Sequence, residues 1–258
     1  MIMFSQITAI VISLIPVKPD IFILRFTSKE LARKCRPGNF LHIKIPPALL
    51  RRPFSIHSVD GDDLSILFRV RGKGTLLLSK YKKGDTLNIL GPLGRGFIFD
   101  KRSVKRDNIL VAGGIGVAPL LFLAQKLKET GAKKIIVLLG IKSKSELLCA
   151  EDFKKIGAQV LVASDDATIG FKGNVVSLLQ NVLSKEKACN IYCCGPHAMF
   201  KPVYELIQDR REVNCQVSFE QFMGCGIGTC CGCTIETASG YKKTCKDGPV
   251  FDIRAIFL

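Results

Sequence analysis

The chain has 258 residues, of which 47% are hydrophobic and 23% charged, a composition typical of a folded protein and unlike that of a disordered one. No apolar run reaches the roughly 18 residues that span a bilayer, and the first residues lack the basic region of a secretory signal, so we expect a cytoplasmic protein with no membrane partner. The net charge is +16, but the basic residues are spread as short pairs without interleaved aromatics, so we expect no nucleic-acid partner.

Residues 1–100 have the pattern of an antiparallel β-barrel or sandwich. Short apolar runs separated by proline and glycine predict strands at 7–15, 21–26, 40–45, 64–70 and 86–90, and a short helix is predicted at 75–80. We therefore take these residues as a first domain built of strands.

Within this domain the segment RRPFS contains side chains that suit a flavin nucleotide. Arg52 can pair with a pyrophosphate, Phe54 can lie against a flat heterocycle and Ser55 can hydrogen-bond a ring nitrogen, while Pro53 makes the segment rigid. Taken alone, the same segment is also typical of an ordinary strand edge.

A second phosphate cradle follows about twenty residues later in the sequence. Gly72, Gly74 and Thr75 stand immediately before the predicted helix, where backbone N–H groups can bind phosphate. Two such segments in one domain favour a dinucleotide such as FAD.

Residues 101–219 change to alternating strands and helices. The apolar runs NILVAG, KKIIVLLG, AQVLVAS, NIYCCG and CQVSF predict parallel strands that are buried on both faces, and four amphipathic segments between them predict helices. This order is typical of a doubly wound α/β domain.

The first strand of that domain leads into a glycine-rich turn. Gly113, Gly114 and Gly116 let a pyrophosphate approach the backbone amides that open the first helix, which predicts a nucleotide site. The second strand is followed by no Asp or Glu for the ribose hydroxyls. Lys142 and Lys144 can accept a 2′-phosphate or simply be solvated, so the sequence leaves NADH and NADPH open.

The predicted strand NIYCCG ends with Cys194 and is followed by Gly195 and Pro196. These residues lie at the carboxyl edge of the sheet, where ligands of such sheets bind. Cys194 therefore has two interpretations, a position near a nicotinamide or simple packing. The histidines show no metal-ligand spacing, and we expect them to be structural or exposed: His42, His57 and His197.

Residues 220–258 form a third segment that is rich in glycine and cysteine. Cys225, Cys230 and Cys233 have C-x4-C-x2-C spacing and Cys245 follows, which is the spacing of a plant-type [2Fe–2S] cluster. Zinc usually takes two C-x2-C pairs, and the odd total of 11 cysteines excludes a complete set of internal disulfides. We therefore favour a [2Fe–2S] cluster over zinc. Cys231 lies inside the loop but does not fit the ligand spacing.

Taken together, the segments RRPFS, GPLGRGF, GGIGVAPL, MGCGIGTCCGC and CKDGPVF make the chain resemble the ferredoxin reductase superfamily. Within it, the chain looks most like the electron-transfer subunits of the two-subunit, NAD-dependent dihydroorotate dehydrogenases of bacteria. The resemblance runs nearly end to end. It implies a Greek-key FAD-binding barrel, an NAD-binding α/β domain and a C-terminal [2Fe–2S] segment.

The same resemblance implies a role for particular residues. FAD would be bound by Arg52, Pro53, Phe54, Ser55, Phe68, Arg69, Val70, Gly74 and Thr75, with the arginine of RRPFS on the pyrophosphate and the serine near the flavin ring. The nicotinamide cofactor would lie along Gly113, Gly114 and Gly116, with Cys194, Gly195 and Pro196 beside its reacting ring. The cluster ligands would be Cys225, Cys230, Cys233 and Cys245.

The family also implies a mechanism and a partner. NADH would give a hydride to FAD, electrons would then pass singly to the cluster, and the partner would be an FMN-containing catalytic subunit of pyrimidine synthesis, in a two-plus-two heterotetramer. The catalytic barrel needs about 250 residues of its own, so we expect the pyrimidine not to bind this chain. Related subunits of sulfide dehydrogenases and ferredoxin:NADP reductases share these modules, and a zinc-stabilised interaction module without redox chemistry is the alternative from another class.

Overall fold

The computed structural model describes residues 5–186 and 188–257, and its first part is a closed antiparallel barrel with the strand order β1-β2-β5-β4-β3-β6. The strands are β1 (Ser5–Lys18), β2 (Ile21–Thr27), β3 (Phe40–Lys44), β4 (Arg52–Asp60), β5 (Asp63–Arg69) and β6 (Thr86–Leu93), with helices α1 (Lys29–Lys34) and α2 (Lys73–Leu78). The apolar runs predict five of these six strands and miss β4. Polar residues such as Ser55 and Ser58 interrupt β4, whereas Phe54 and Ile56 point into the barrel core.

The second part is a parallel sheet covered by helices on both faces. Its strands are β7 (Asp107–Gly113), β8 (Ile135–Ile141), β9 (Gln159–Ser164), β10 (Phe171–Lys172), β11 (Cys189–Cys194) and β12 (Val213–Ser218), and its helices are α3 (Leu120–Glu129), α4 (Ala150–Lys155), α5 (Val175–Leu183) and α6 (His197–Ile207). β7 lies between β8 and β11, so the strand order reverses there and opens a crevice at the carboxyl edge. The predicted barrel and doubly wound sheet are confirmed.

The cysteine-rich segment contains β13 (Thr234–Ile235), β14 (Lys242–Lys243), α7 (Thr244–Asp247), β15 (Val250–Asp252) and α8 (Arg254–Phe257). β15 pairs antiparallel with β12 and becomes the last strand of the large sheet. Just before it, Pro249 bridges to Arg95, which follows the last barrel strand. The segment is therefore bound to both larger parts of the molecule.

His57 connects the barrel to the sheet. It lies on β4, is 3% exposed, and its Nδ1 is 2.8 Å from the carbonyl oxygen of Ala118, at the start of α3. Burial lowers the pKa of His57, so the ring is neutral at physiological pH and Nδ1 donates to Ala118. None of the helices in residues 5–186 and 188–257 is long and apolar enough to cross a membrane.

Candidate functional site

The glycine-rich turn after β7 and the turn after β11 are in direct contact at the carboxyl edge of the sheet. A Cβ atom at Gly116 would lie 2.3 Å from the carbonyl oxygen of Cys194 and 2.7 Å from the amide nitrogen of Gly195. A Cβ at Gly113 would lie 2.7 Å from Cδ of Pro196. Glycine is therefore required at both positions, and the two turns position each other.

These two turns form part of the wall of a cavity of about 820 Å³. Its wall includes all the predicted nicotinamide-site residues except the cysteine: Gly113, Gly114, Gly116, Gly195 and Pro196. Cys194 itself is 1% exposed, and burial raises the pKa of its thiol well above the usual value. Its position beside a nicotinamide stays a prediction.

The wall of this cavity contains carboxylates as well as a lysine. Lys142, Glu146 and Asp165 line it, and the N–H of Asp165 donates to the carbonyl oxygen of Ile141 at 3.2 Å, which sets Asp165 beside the end of β8. Lys144 is exposed and does not line the cavity. Carboxylates accept hydrogen bonds from ribose hydroxyls, so Glu146 and Asp165 are candidate partners for the ribose of NADH, whereas Lys142 is a candidate partner for a 2′-phosphate.

A second cavity, of about 630 Å³, lies between the barrel and the sheet. Six of the predicted flavin residues line it: Pro53, Phe54, Ser55, Phe68, Arg69 and Thr75. The rings of Phe54 and Phe68 meet edge to face with centroids 5.8 Å apart. A concave, aromatic wall with a few hydroxyl and guanidinium groups suits a flavin ring.

The other predicted flavin residues, Arg52, Val70 and Gly74, do not line this cavity. Arg52 donates from its guanidinium to the carbonyl oxygen of Leu50 at 2.7 Å, and its Nε lies 3.1 Å from the position that a Cβ on Gly74 would take. Arg52 therefore lies against the start of α2, and its contact with a pyrophosphate stays a prediction.

The two cavities adjoin, and four residues line both of them: Arg69, Arg71, Ile115 and Glu220. Arg69 is held by Asp20, whose carboxylate lies 3.3 Å from the arginine Nε. A nicotinamide in the first cavity and a flavin in the second would meet at this common wall, where two arginines provide positive charge for anionic cofactors.

The four cysteines predicted to bind a cluster come together as two pairs of thiols. Cys233 and Cys245 are buried, and their Sγ atoms are 3.2 Å apart. In the other pair, Sγ of Cys225 accepts the backbone N–H of Cys230 at 3.4 Å. Backbone N–H groups also reach the buried pair, since Gly228 donates to Sγ of Cys245 at 3.1 Å. Such N–H groups stabilise cluster-bound thiolates.

Two pairs of thiols are a donor set that suits a two-iron cluster, which takes four cysteine thiolates. Burial raises the pKa of Cys225, but N–H groups of Cys230 and Ile227 outweigh it and bring that pKa to about 6. Burial, followed by Cys233, raises the pKa of Cys245 to about 12, so iron binding there releases a proton.

His42 and Gly226 also shape the cluster loop. His42 on β3 is fully buried. Gly226 has φ +74°, and a Cβ on it would lie 2.5 Å from Nδ1 of His42, so the imidazole packs directly against the loop. Burial, ahead of the charge of Arg51, lowers the pKa of His42 to about 4. Cys231 is exposed with φ +58° and lies outside the two thiol pairs.

Several residues of the second cavity are missed by the sequence analysis: Phe40, Leu67, Arg71, Ile115, Ala118, His197, Ser218, Phe219, Glu220, Gln221, Phe222, Met223 and Pro249. For Arg71 a signal exists, because it lies within the segment RVRGKGT. For Phe222 and Met223 the signal is an apolar pair directly before the cluster motif. Phe40 and Pro249 reach the cavity through long-range strand pairing, which residue types alone do not reveal.

Comparisons with known proteins match two parts of the chain to family models. The model of the iron–sulfur cluster binding domain of dihydroorotate dehydrogenase B matches residues 220–257. The model of the oxidoreductase NAD-binding domain matches residues 110–205. The redox interpretation of both segments is therefore supported by sequence similarity as well as by geometry.

Among curated proteins, two relatives are named the electron transfer subunit of dihydroorotate dehydrogenase B (NAD(+)). The protein from Desulforamulus reducens is 38% identical, over 93% of this chain and 94% of the relative. The protein from Streptococcus pneumoniae strain R6 is 35% identical, over 89% of this chain and 90% of the relative. The chain thus matches these relatives across nearly their whole length.

Two solved structures share the fold. The NADH-dependent reduced ferredoxin–NADP oxidoreductase, determined for insight into flavin-based electron bifurcation, has a TM-score of 0.84 and 28% identity, covering 98% of this chain and 90% of that one. A ferredoxin NADP+ reductase from Neisseria gonorrhoeae with bound FAD and NADP has a TM-score of 0.68 and 16% identity, covering 84% of this chain and 99% of that one. The fold is that of the ferredoxin reductases.

Proposed function

Since the chain belongs to the family of electron-transfer subunits of NAD-dependent dihydroorotate dehydrogenase B, we propose that it passes electrons between NAD(H), FAD, a [2Fe–2S] cluster and a partner catalytic subunit. In this proposal the partner carries FMN and oxidises dihydroorotate to orotate in the de novo synthesis of UMP. The complex is cytoplasmic and contains two copies of each subunit.

One observation carries the proposal, namely the order of the three sites. The nicotinamide cavity and the flavin cavity share Ile115 and Glu220 on one side. The flavin cavity is also lined by Phe40, which packs in one cluster with Cys233 and Cys245. A flavin in the middle cavity would have a hydride donor on one side and a one-electron acceptor on the other.

FAD supplies the chemistry that this order requires, because it takes up two electrons from a nicotinamide and can release them one at a time. The residues of the chain bind and orient. Phe54 and Ser55 line the flavin cavity, Arg71 gives positive charge where the two cavities join, and Gly113 and Gly116 allow a dinucleotide to approach the backbone. Each pair of thiols would hold one iron of the cluster.

The proposal includes a partner because the relatives that the chain matches are named as electron transfer subunits. The cluster loop also has features of a docking surface. Cys230 is exposed, and two apolar side chains in or just before the loop are exposed as well, Phe222 at 92% and Ile227 at 38%. Exposed apolar side chains next to a redox centre support contact with another protein.

A second candidate is an NADH-linked subunit of a ferredoxin–NADP oxidoreductase. It is favoured by the structural match at 28% identity, which covers 98% of this chain. Relatives named as dihydroorotate dehydrogenase B subunits match at 35–38% identity, which supports the first candidate more strongly. A subunit of a sulfide dehydrogenase is the remaining redox alternative.

Reconstitution with candidate partners separates these functions. The chain, loaded with FAD and cluster, is mixed without air with an FMN-containing dihydroorotate dehydrogenase catalytic subunit, NAD+ and dihydroorotate. The proposal expects NADH and orotate to form in equal amounts only when both subunits are present, and expects Cys230→Ser to abolish NADH formation. In a parallel mixture with ferredoxin and NADP+, electron transfer between NADH, ferredoxin and NADP+ would favour the second candidate. That result, together with no NADH formed from dihydroorotate, would overturn the proposal.

A further inference from the structure

Phe40 lies between the flavin cavity and the cluster thiols. It is 3% exposed and lines the flavin cavity. It also belongs to a small apolar cluster that contains Leu93 and the ligands Cys233 and Cys245. No other residue that is buried in this way belongs to both sets within the part of the chain that the structure describes.

The backbone holds Phe40 firmly in this position. At the first residue of β3, Phe40 pairs with Ser55 on one neighbouring strand and with Leu93 on the other. The preceding residue, Asn39, is 4% exposed, and its Nδ2 donates to the carbonyl oxygen of Gly94 at 2.9 Å. Phe40 therefore sits beside the serine predicted to face the flavin ring, on a backbone bonded to both neighbouring strands.

Two residues from the cysteine-rich segment surround Phe40 on the same side of the cavity. Met223 lines the flavin cavity and packs against the apolar cluster of Phe40, and it is two residues from Cys225. Pro249 also lines the cavity and follows Cys245 by four residues. The residues shared by the flavin cavity and the apolar cluster of the two cysteines are therefore apolar, and Phe40 is the buried one among them.

We infer that Phe40 is the positioning residue for electron transfer between flavin and cluster. Its ring fills the space between the two cofactors and excludes water from it. In that step one electron leaves the reduced flavin and one ferric ion of the cluster becomes ferrous, while the flavin proton goes to solvent. The inference deepens the proposed function and rests on it. It adds the residue that sets the separation and keeps water out of the gap.

Physical reasoning makes the consequence of removing the ring specific. A void next to Cys233 and Cys245 would admit water, because it would open onto the cofactor cavity and onto polar cluster sulfurs. Solvent exposure is one of the factors that set the potential of an iron–sulfur cluster. Loss of the ring should therefore change both the potential of the cluster and the rate at which it is reduced, without touching the nicotinamide cavity.

The test compares Phe40→Ala and Phe40→Leu with Phe26→Leu, which removes a fully buried phenyl from the barrel core away from both cavities. Anaerobic rapid mixing with NADH follows flavin bleaching and cluster reduction separately, and a dye titration gives the cluster potential. We expect Phe40→Ala to slow cluster reduction by about tenfold more than it slows flavin bleaching, a barrier increase of about 1.4 kcal/mol for the step between flavin and cluster. The cluster potential should shift, whereas Phe26→Leu should change neither rate nor potential.

Phe40→Leu keeps an apolar side chain and decides the question if the alanine variant loses a cofactor. It should slow cluster reduction severalfold more than it slows flavin bleaching. Cluster reduction at the wild-type rate with an unshifted potential, in whichever Phe40 variant retains both cofactors, would overturn the inference. A wild-type chain that binds neither flavin nor iron would instead refute the proposed function, so the two failures are distinguishable.

Discussion

The contact between the two turns of the nicotinamide cavity makes Gly116→Ala a sharp perturbation. The added Cβ would lie 2.3 Å from the carbonyl oxygen of Cys194 and 2.7 Å from the amide nitrogen of Gly195, whereas ordinary contact begins at 3.4 Å. One turn must therefore move by about 1 Å. Such overpacking destabilises a protein by about 1–3 kcal/mol. A displacement of about 1 Å between reacting groups can lower a rate by about 100-fold.

Two assays separate the effect on the site from the effect on stability. Anaerobic rapid mixing measures the rate at which NADH bleaches the flavin, and denaturant unfolding measures the free energy of unfolding. Gly131→Ala is the control, because Gly131 has φ +102° with nothing within 4 Å of its Cβ position, so alanine adds strain of about 1–2 kcal/mol without a collision. We expect both variants to lose stability and only Gly116→Ala to bleach slowly. Bleaching by Gly116→Ala at the wild-type rate would refute the assigned contact between the turns.

Three further outcomes follow from the cluster loop and from the contact between barrel and sheet. Cys230→Ser should abolish the electron paramagnetic resonance signal of the reduced cluster while leaving NADH-dependent flavin bleaching largely intact, and Cys231→Ser should keep the signal; loss of signal in both would refute the ligand set. Gly226→Ala should lower iron content, because its Cβ would lie 2.5 Å from Nδ1 of His42 at φ +74°, and iron content equal to wild type would contradict that packing. Stability should fall as pH drops below about 6.5, because the unfolded chain binds protons that the buried rings of His57 and His42 do not. Each histidine contributes up to about 1.4 kcal/mol per pH unit, and His57→Asn should remove its own share of the slope in unfolding curves.

The sign of the pH effect follows from the direction of the pKa shift. The pKa of His57 is lowered in the fold, so the unfolded state binds more protons between the folded pKa and about 6.5. Stability therefore rises with pH through that window and levels off above it. A variant with the same slope as wild type would show that other groups are responsible.

Residue pattern predicts the architecture well where one physical rule dominates. Buried parallel strands need continuous apolar runs, so β7, β8, β9, β11 and β12 are predicted correctly from sequence. Cluster ligation needs thiols at fixed spacing, so the spacing predicts the same four cysteines that the fold brings together as two pairs.

Prediction fails where tertiary pairing decides. Strand β4 is not predicted, because its outward residues face solvent or the cavity and interrupt the apolar pattern. The sequence analysis misses Asp165 as a candidate ribose partner because Asp165 follows β9, and only the pairing of β9 with β8 brings it beside Ile141. The sequence analysis misses Phe40 for the same reason. From sequence alone Phe40 looks like an ordinary core aromatic, and only the pairing of β3 with β4 and β6 places it beside the flavin cavity.

Electron flow from NADH through flavin to a [2Fe–2S] cluster is checked most directly by the absorption spectrum and metal content of the protein purified without air, followed by titration with NADH. We expect flavin and iron–sulfur bands, about two irons and two sulfides per chain, and bleaching of both sets of bands by NADH. A colourless protein with zinc and no flavin, or a coloured one whose bands NADH leaves unchanged, would contradict it.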